Sequence, residues 1–469
     1  MNEILEMDAS SQLALMARGD LSAEELMRAT LARIEAVNGS VNAIVGLRDP
    51  DDLLAEACSV DRGQTLGALH GRPVAVKELS DVKGFVTSEG STAFSDRIAK
   101  SDALHVARMR AAGAIFIGKT NTPEFGLGSH TFNPVYGATC NAYDDTVSCG
   151  GSSGGAAVAL ATRMLSLADG SDMMGSLRNP TGWNNVYGFR PSWGRVPAKS
   201  EGETFLHMLS TNGPMARCPA DLALLLNVIS GPDSHQPHSL PPQSFSVDTL
   251  DVRGKRIGWL GDWGGAWAME DGILDICENA LNVFEALGCE IESVKAPFAR
   301  EALWESWTTL RNWSVSEGLR PLMENPKTRC QLKDTAIWEA ERGAALSAAD
   351  VHAASVIRSD WFRAAAALFD RYDALVAPTA QVWPFALDTP YPTQIAGQGM
   401  DTYHRWMEVT VPASLIGLPA LAVPVGFGPQ GLPMGMQLIG RHGDDQGMLT
   451  LAEVYHSETH WPQRNPPKR

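Results

Sequence analysis

The sequence predicts an α/β fold, with a central mixed β-sheet covered by helices on both faces. Short apolar runs bounded by glycine recur from residue 66 onward, at 73–77, 114–119 and 158–165. Between the first two, residues 103–113 have helical apolar spacing and end at a glycine, a common helix stop. Alternation of strand-like and helix-like segments at this interval is typical of a sheet with helices packed against it.

The N-terminal part is predicted to be helical. Across residues 8–37, leucine, methionine and isoleucine recur at helical spacing, with charged residues between them. Asp20 or Ser22 is expected to cap the second helix, because Glu24 and Glu25 follow in what would be its first turn.

The rest of the chain divides into segments by composition and hydrophobic pattern. A passage rich in proline, serine and histidine (231–248) indicates a long surface loop. A strand-like KRIGWL, a helix over ILDICENALNVFEALG and a strand-like IESV come next, and a tryptophan-rich region extends to residue 410. The tail predicts strands over LPALAVPVGF and LPMGMQLIG, then a helix from about Asp445. We expect one domain with five parts: a helical part (1–65), a core (66–230), a loop (231–255), a variable region (256–410) and a return to the sheet (411–469).

Composition excludes several classes of protein. The net charge of −16 disfavours nucleic-acid binding, which needs clustered lysine and arginine. Seven scattered cysteines without C-x-x-C spacing predict neither a disulfide framework nor a zinc site. No apolar stretch has the length or character of a signal peptide or a membrane span, so we expect a cytoplasmic protein that binds no membrane.

One segment stands out chemically. Residues 150–155 consist only of glycine and serine. Such composition usually marks a flexible linker. Here, however, the run opens directly into an apolar, helix-like segment, which a linker would not do. Glycines at this place permit close backbone approach and present amide N–H groups and hydroxyls at the start of a helix.

Together with other blocks, this run resembles the amidase signature family. The similarity extends, in order and spacing, across nearly the whole chain: GRPVAVKELSDVKG (71–84), AAGAIFIGKTNTPEFGLG (111–128), NPVYGATCNAYD (133–144), CGGSSGGAAVAL (149–160), GSLRNP (175–180), VYGFRPSWGRVP (186–197) and GLPALAVPVGFGPQGLPMGMQLIG (417–440). The resemblance implies the amidase signature fold and a Ser-Ser-Lys catalytic set. It implies that Ser176 is the nucleophile, that Ser152, on a cis peptide, relays its proton, and that neutral Lys77 is the base.

The chemistry of the residues agrees with that assignment. A serine that attacks an amide needs a base to take its proton. No histidine lies beside the glycine-serine run, and Asp172 alone would be a weak base. Burial disfavours the charged form of lysine and lowers its pKa towards the range of a useful base. Lys77 follows the apolar PVAV, where such burial can occur, although a strand-end lysine is more often solvated.

The resemblance also implies an oxyanion hole made of backbone N–H groups just before the nucleophile: Met173, Met174, Gly175 and Ser176. Met174 departs from the family pattern, which has glycine there, and its side chain is expected to enter the pocket. Asp172 and Arg178 are expected to pair and, with Ser153, to support the loop.

We therefore expect hydrolysis of a small-molecule amide, anilide or carbamate, with no cofactor and no metal. The motif sequences resemble most those of aryl acylamidases, urethanases and nylon-oligomer amidases. Two alternatives remain: the amidase subunit of glutamyl-tRNA amidotransferase, and a non-catalytic binding protein of the same fold. Most tryptophans of the variable region are expected in the core. One of four arginines there could instead hold a charged substrate: Arg311, Arg320, Arg342 or Arg358.

Overall fold

A computed structural model describes residues 2–64, 67–198, 203–247 and 251–469. Its helices are α1 (Asn2–Glu6), α2 (Ala9–Arg18), α3 (Ala23–Val41), α4 (Pro50–Asp61), α5 (Leu104–Ala111), α6 (Gly154–Ala161), α7 (Asn179–Trp183), α8 (Pro219–Ile229), α9 (Ile273–Ala286), α10 (Arg300–Glu324), α11 (Pro326–Arg329), α12 (Asp334–Ala344), α13 (Ala348–Phe369), α14 (Val411–Leu415), α15 (Asp445–Thr459) and α16 (Trp461–Arg464).

The strands are β1 (Ile44–Val45), β2 (Pro73–Lys77), β3 (Ile115–Thr120), β4 (Phe132–Asn133), β5 (Gly137–Ala138), β6 (Leu167–Asp172), β7 (Tyr187–Arg190), β8 (Thr211–Ala216), β9 (Arg256–Trp259), β10 (Glu290–Ser293), β11 (Ala374–Pro378), β12 (Gln394–Ile395), β13 (Gln398–Gly399), β14 (Ala420–Phe427) and β15 (Pro433–Ile439). Short 3₁₀ turns lie at Thr92–Phe94, Glu124–Gly126 and Arg405–Thr410.

The main sheet has eight strands in the order β10-β9-β11-β15-β14-β7-β8-β6. Strands β10, β9 and β11 are parallel, and the remaining neighbours pair antiparallel. The α/β class with a large mixed sheet is therefore confirmed. Its strands are largely buried and their side chains form the principal hydrophobic core together with those of the surrounding helices.

A second, three-stranded sheet has the order β1-β3-β2, with β2 parallel to β3 and β1 antiparallel to it. The sequence predicted β2 and β3 as strands but not that they stand apart from the main sheet. A separate hydrophobic core lies around this sheet and includes residues of α3, α4 and α6. Lys77 ends β2, whereas Ser176 follows β6 at the edge of the main sheet.

Helix boundaries follow local chemistry. Ser22, rather than Asp20, caps α3: its side chain accepts the Glu25 N–H, and the Glu25 carboxylate accepts the Ser22 N–H in return. The apolar run 158–165 begins inside helix α6 and is not a strand. All eight residues of α6 are buried and none is polar, so the helix has no polar face whose spacing would reveal it.

The passage 231–247 contains no helix or strand, as expected, and the remainder of that predicted loop includes residues outside the described part of the chain. No helix among the described residues has the length and apolar character needed to cross a membrane.

Candidate active site

Lys77 lies at the end of β2, and all five residues of that strand are buried. Its ammonium nitrogen lies 2.8 Å from Ser152 Oγ and 2.9 Å from Ser153 Oγ. The same nitrogen lies 3.0 Å from Ser171 Oγ and 3.3 Å from the Ser171 carbonyl oxygen. All four of these partners are uncharged oxygens, so none of them neutralises the lysine as a carboxylate would.

The electrostatic consequence is a weakly basic lysine. Burial lowers the pKa of Lys77 from its ordinary value of 10.5 to about 7, against the opposing influence of Asp169 and Asp172. At neutral pH a large fraction of the side chain is therefore the free amine. Lys77 is thus buried, as the apolar PVAV before it permits, and its side chain has no ion pair among the described residues.

The glycine-serine run is packed tightly against neighbouring side chains and backbone. A Cβ on Gly154 would lie 2.2 Å from Thr131 Oγ1, and one on Gly155 would lie 2.3 Å from Asn121 N. The peptide bond between Gly151 and Ser152 is cis. Ser153 then precedes the first residue of α6, so both serine side chains stand at the start of a buried helix. The run is a close-packed turn and not a linker.

Ser176 lies in the turn between β6 and α7 and is 7% exposed. The residue before it, Gly175, has φ +87°, and a Cβ there would lie 2.7 Å from Thr410 Cγ2. Asp172 fixes the turn from inside, because its carboxylate accepts the N–H groups of Gly175 at 2.8 Å and Leu177 at 3.0 Å. The loop that carries the hydroxyl is thus held at both sides of Ser176.

Asp172 is itself held by two fully buried arginines. Arg178 donates to both carboxylate oxygens, at 3.0 and 2.9 Å, and Arg190 lies 3.3 Å from one of them. Burial alone would raise the pKa of Asp172, but the two guanidinium groups and the N–H donors hold it well below its usual range. Arg178 also donates to Gln437 Oε1 and Ser414 Oγ, which ties the loop to β15 and to helix α14.

The four predicted oxyanion donors differ in whether their N–H groups already donate a hydrogen bond within the protein. The Gly175 N–H donates to Asp172, so it is engaged in the structure. Within the described ranges, the N–H groups of Met173, Met174 and Ser176 donate to no protein acceptor. They therefore stay open to a developing negative charge.

The side chain of Met174 does not behave as expected. It is 3% exposed and packs into the main hydrophobic core. Met173 is the partly exposed neighbour, and its sulfur lies 3.5 Å from Arg311 Nη1. The alternation of side chains along the chain after β6 turns one methionine inward and the other outward, and two adjacent methionines carry no signal that tells which is which.

The two serines that the resemblance assigns to a proton relay, Ser152 and Ser176, lie on different segments of the site. Among the described residues no hydrogen bond joins Ser152 Oγ to Ser176 Oγ. Their neighbours meet at Gly170, where a Cβ would lie 2.8 Å from Ser153 Oγ and 2.6 Å from Leu177 Cδ2. Hydrogen bonds of this kind are often long in the absence of substrate.

Sequence analysis missed two residues that contact Lys77. Ser171 is one of them, and Asp169 accepts the Lys77 N–H at 3.0 Å through Oδ1. Both lie on β6 at positions two apart, so they share one face of that strand. Polar residues at this spacing inside an otherwise buried strand were the signal that could have revealed them.

The variable region supplies the surroundings. Of the seven tryptophans between residues 298 and 410, four are buried in the core (304, 307, 361 and 406) and three are partly exposed (313, 338 and 383). The prediction that most are core residues is confirmed. Trp313 packs on His207, and Trp338 packs on Tyr403.

Three of the four arginines named from the sequence are engaged. Arg311 pairs with Glu339 at 2.9 Å, Arg320 pairs with Glu317, and Arg342 stacks on Trp338. Arg358 is partly buried, and burial lowers its pKa without any opposing carboxylate. Among the described residues, Arg358 has no hydrogen bond or ion pair.

Arg358 lines a cavity of about 480 Å³. The cavity is bounded mainly by apolar and aromatic side chains, and its walls include Met208 and the segment 415–417. The adjacent Leu209 carbonyl and Ser414 side chain hold Arg190 and Arg178, so the cavity adjoins the residues that support the loop of Ser176. Lys77, Ser152 and Ser176 are not among its lining residues.

One group of possible metal ligands occurs in the described residues: Asp8, Cys218 and Asp221 lie within 4.8 Å of one another. Asp221 already accepts the N–H groups of Ala9 and Ser10 at the start of α2. The group belongs to other elements than the serine–lysine site, and we assign it a structural role.

Known proteins that this chain resembles are amidases and related enzymes. The family model described as Amidase matches residues 25–449. An acylamidase from Rhodococcus erythropolis is 33% identical over 98% of this chain and 97% of its own. A glutamyl-tRNA(Gln) amidotransferase subunit from Chloroflexus aurantiacus is also 33% identical, over 99% of both chains. The crystal structure of a bacterial aryl acylamidase of the amidase signature family superposes with a TM-score of 0.92 at 28% identity, covering 99% of both chains.

The mixed-sheet α/β fold and these similarities together define a hydrolase of the amidase type. The chain belongs to the amidase signature family. It is an amidohydrolase that acts on carbon–nitrogen bonds other than peptide bonds.

Proposed function

We propose that the protein hydrolyses a small-molecule amide, anilide or carbamate through an acyl-enzyme on Ser176, with Ser152 as proton relay and Lys77 as general base. The observation that carries the proposal is the 2.8 Å contact between Lys77 Nζ and Ser152 Oγ, in a buried site where the lysine pKa is about 7. A free amine at that position has a lone pair for the Ser152 proton. Its two N–H groups can still donate to the remaining serine oxygens.

The reaction then has two halves. Ser176 Oγ attacks the carbonyl carbon while its proton passes to Ser152 and the Ser152 proton passes to Lys77. The open N–H groups of Met173, Met174 and Ser176 stabilise the negative charge on the carbonyl oxygen. The lysine proton returns through Ser152 to the leaving nitrogen. Water then attacks the acyl-enzyme and gives a proton through Ser152 to Lys77, and this proton returns to Ser176 Oγ as the acid leaves.

Neutral hydrophobic substrates are the class that we propose. The partly exposed Trp313, Trp338 and Met173 offer apolar and aromatic contacts. Arg311, beside Met173, is neutralised by Glu339, so it offers no free charge to a substrate carboxylate. A charged substrate would need such a partner to offset the loss of its hydration.

Cleavage of a carboxylate-bearing amide such as glutamine is the second candidate, and Arg358 favours it. This arginine lacks a partner among the described residues and lies in the cavity beside the nucleophile loop. The similarity to the amidotransferase protein is as high as that to the acylamidase, so identity does not choose between them.

Matched substrates distinguish the two. We would compare kcat/KM for a 4-nitroanilide with a neutral acyl chain, the same anilide with a terminal carboxylate, and glutamine. The proposal predicts that the neutral anilide exceeds glutamine by at least about tenfold. The second candidate predicts the reverse order, and a selective loss of the carboxylated substrates in Arg358→Gln. Activity on none of these substrates, together with no covalent labelling of Ser176, would contradict the serine-hydrolase mechanism itself.

A further inference from the structure

A buried carboxylate that contacts the main chain of the proposed general base takes no part in the proposed reaction. Asp169 is 1% exposed and lies on β6, while Lys77 lies on β2 of the other sheet. Asp169 Oδ1 accepts the Lys77 main-chain N–H at 3.0 Å. This contact joins the two sheets at the residue whose side chain takes the proton.

The second oxygen of Asp169 also has a partner. His105, on α5, is 2% exposed, and its Nε2 lies 3.3 Å from Asp169 Oδ2. The other ring nitrogen, Nδ1, lies 3.4 Å from the Asn212 amide nitrogen. With Asn212 as donor, Nδ1 is the acceptor, which leaves the proton on Nε2 to be donated to Asp169. These two contacts account for both ring nitrogens of His105.

Few charged groups face this pair. The negative charge of Asp169 raises the pKa of Lys77 and also that of Lys119, the penultimate residue of the neighbouring strand β3. Asp172 is the other carboxylate that acts on Lys77, and Arg178 and Arg190 offset its charge. Asp169 has no arginine among the ion pairs of the described residues; the only side chain that contacts its carboxylate there is the His105 ring. It is thus the less neutralised of the two anions that favour the protonated lysine.

We propose that Asp169, held by His105, is a positioning residue for the general base: it fixes the Lys77 main chain and sets the pH at which the amine becomes free. This inference rests on the proposed function, since it gives Lys77 the role of base. It adds that the lysine is tuned by a histidine–aspartate pair and not by burial alone. An anion near an ammonium favours the charged form, so loss of the Asp169 charge makes the free amine available at lower pH.

The test measures the pH dependence of covalent labelling and not of turnover, so it needs no knowledge of the substrate. The full chain is reacted with phenylmethanesulfonyl fluoride, a neutral reagent, between about pH 5 and 9, and the rate constant for modification of Ser176 is followed by mass spectrometry. Asp169→Asn keeps an oxygen for the Lys77 N–H but removes the charge. We expect the acid limb of its profile to move to lower pH by at least about 0.5 unit.

A matched control is Asp221→Asn, which also removes a buried carboxylate that accepts two main-chain N–H groups. Its profile should coincide with that of the wild type, even if its melting temperature falls. An unmoved acid limb in folded Asp169→Asn, or an equal shift in the Asp221 control, would overturn the inference.

The histidine provides a second route if Asp169→Asn does not fold. His105→Gln retains a donor for Asp169 and an acceptor for Asn212, so its profile should match the wild type. His105→Leu removes both, which favours protonation of the buried carboxylate, and its acid limb should move in the same direction as that of Asp169→Asn. Identical profiles for these two variants would contradict the role of His105. Wild-type protein that is not labelled at Ser176 would instead refute the proposed function.

Discussion

The lysine base makes a quantitative prediction about pH. With a Lys77 pKa of about 7, the free-amine fraction is roughly one half at pH 7, about 0.9 at pH 8 and about 0.1 at pH 6. Because the working form is the deprotonated one, kcat/KM should rise with pH. The expected increase is about tenfold between pH 6 and pH 8, with little further gain above pH 8.

The assay is initial-rate hydrolysis of a neutral anilide whose own ionisation does not change in this range. Circular dichroism at each pH provides the control, since it shows whether the fold is intact where activity is low. A profile that falls between pH 6 and pH 8 would refute the assignment of a lysine base. A plateau reached only above pH 10 would show that Lys77 is not desolvated as its surroundings indicate.

Three other predictions follow from the same contacts. Ser176→Ala and Ser152→Ala should each lower kcat by at least about 10²-fold with little change in melting temperature, and the double variant should be hardly worse than either, because one relay needs both hydroxyls; near-wild-type turnover of Ser152→Ala would contradict the relay. Lys77→Met should abolish activity yet stabilise the fold at pH 7. The pKa of Lys77 in the folded state lies below the unfolded value of 10.5, so between pH 7 and 10.5 the unfolded wild-type chain binds more protons than the folded one. Wild-type stability should therefore rise in this range by up to about 1.4 kcal/mol per pH unit relative to the variant. The same pH dependence of the unfolding free energy in both proteins, measured with urea, would disprove it. Arg178→Met should destabilise the protein by about 3–5 kcal/mol, since it leaves the fully buried Asp172 with half of its ionic partners, and urea unfolding at pH 7 measures the loss; an effect below about 1 kcal/mol would show that the pair is not needed.

Much of the fold could be predicted from the sequence because the evidence there is local, whereas the candidate catalytic set of Lys77, Ser152 and Ser176 came from the resemblance to the amidase signature family. Glycines in the glycine-serine run leave no room for a side chain, and PVAVK is apolar enough to bury its lysine. Contacts between distant segments were beyond reach. Nothing in the sequence around His105 indicates that its ring meets Asp169, 64 positions away.

The inward turn of Met174 shows the same limit on a smaller scale. Whether a side chain after a strand faces the core or the pocket depends on the register of β6 against β8, which the pairing of Asp172 with Thr211 sets. Likewise, Arg178 could be predicted to pair with Asp172 from their proximity in sequence. The contribution of Arg190 could not be, because it comes from another strand of the main sheet.

The division of the proposed catalytic residues between two sheets has a mechanical consequence. Lys77 moves with the three-stranded sheet and Ser176 with the eight-stranded one, so turnover depends on the spacing between two separately hydrogen-bonded layers. A displacement of one layer by about an ångström would break the proton path while both ladders stayed intact. In increasing denaturant, hydrolysis should therefore be lost at a lower concentration than the helical circular dichroism signal, because activity depends on the packing between the sheets.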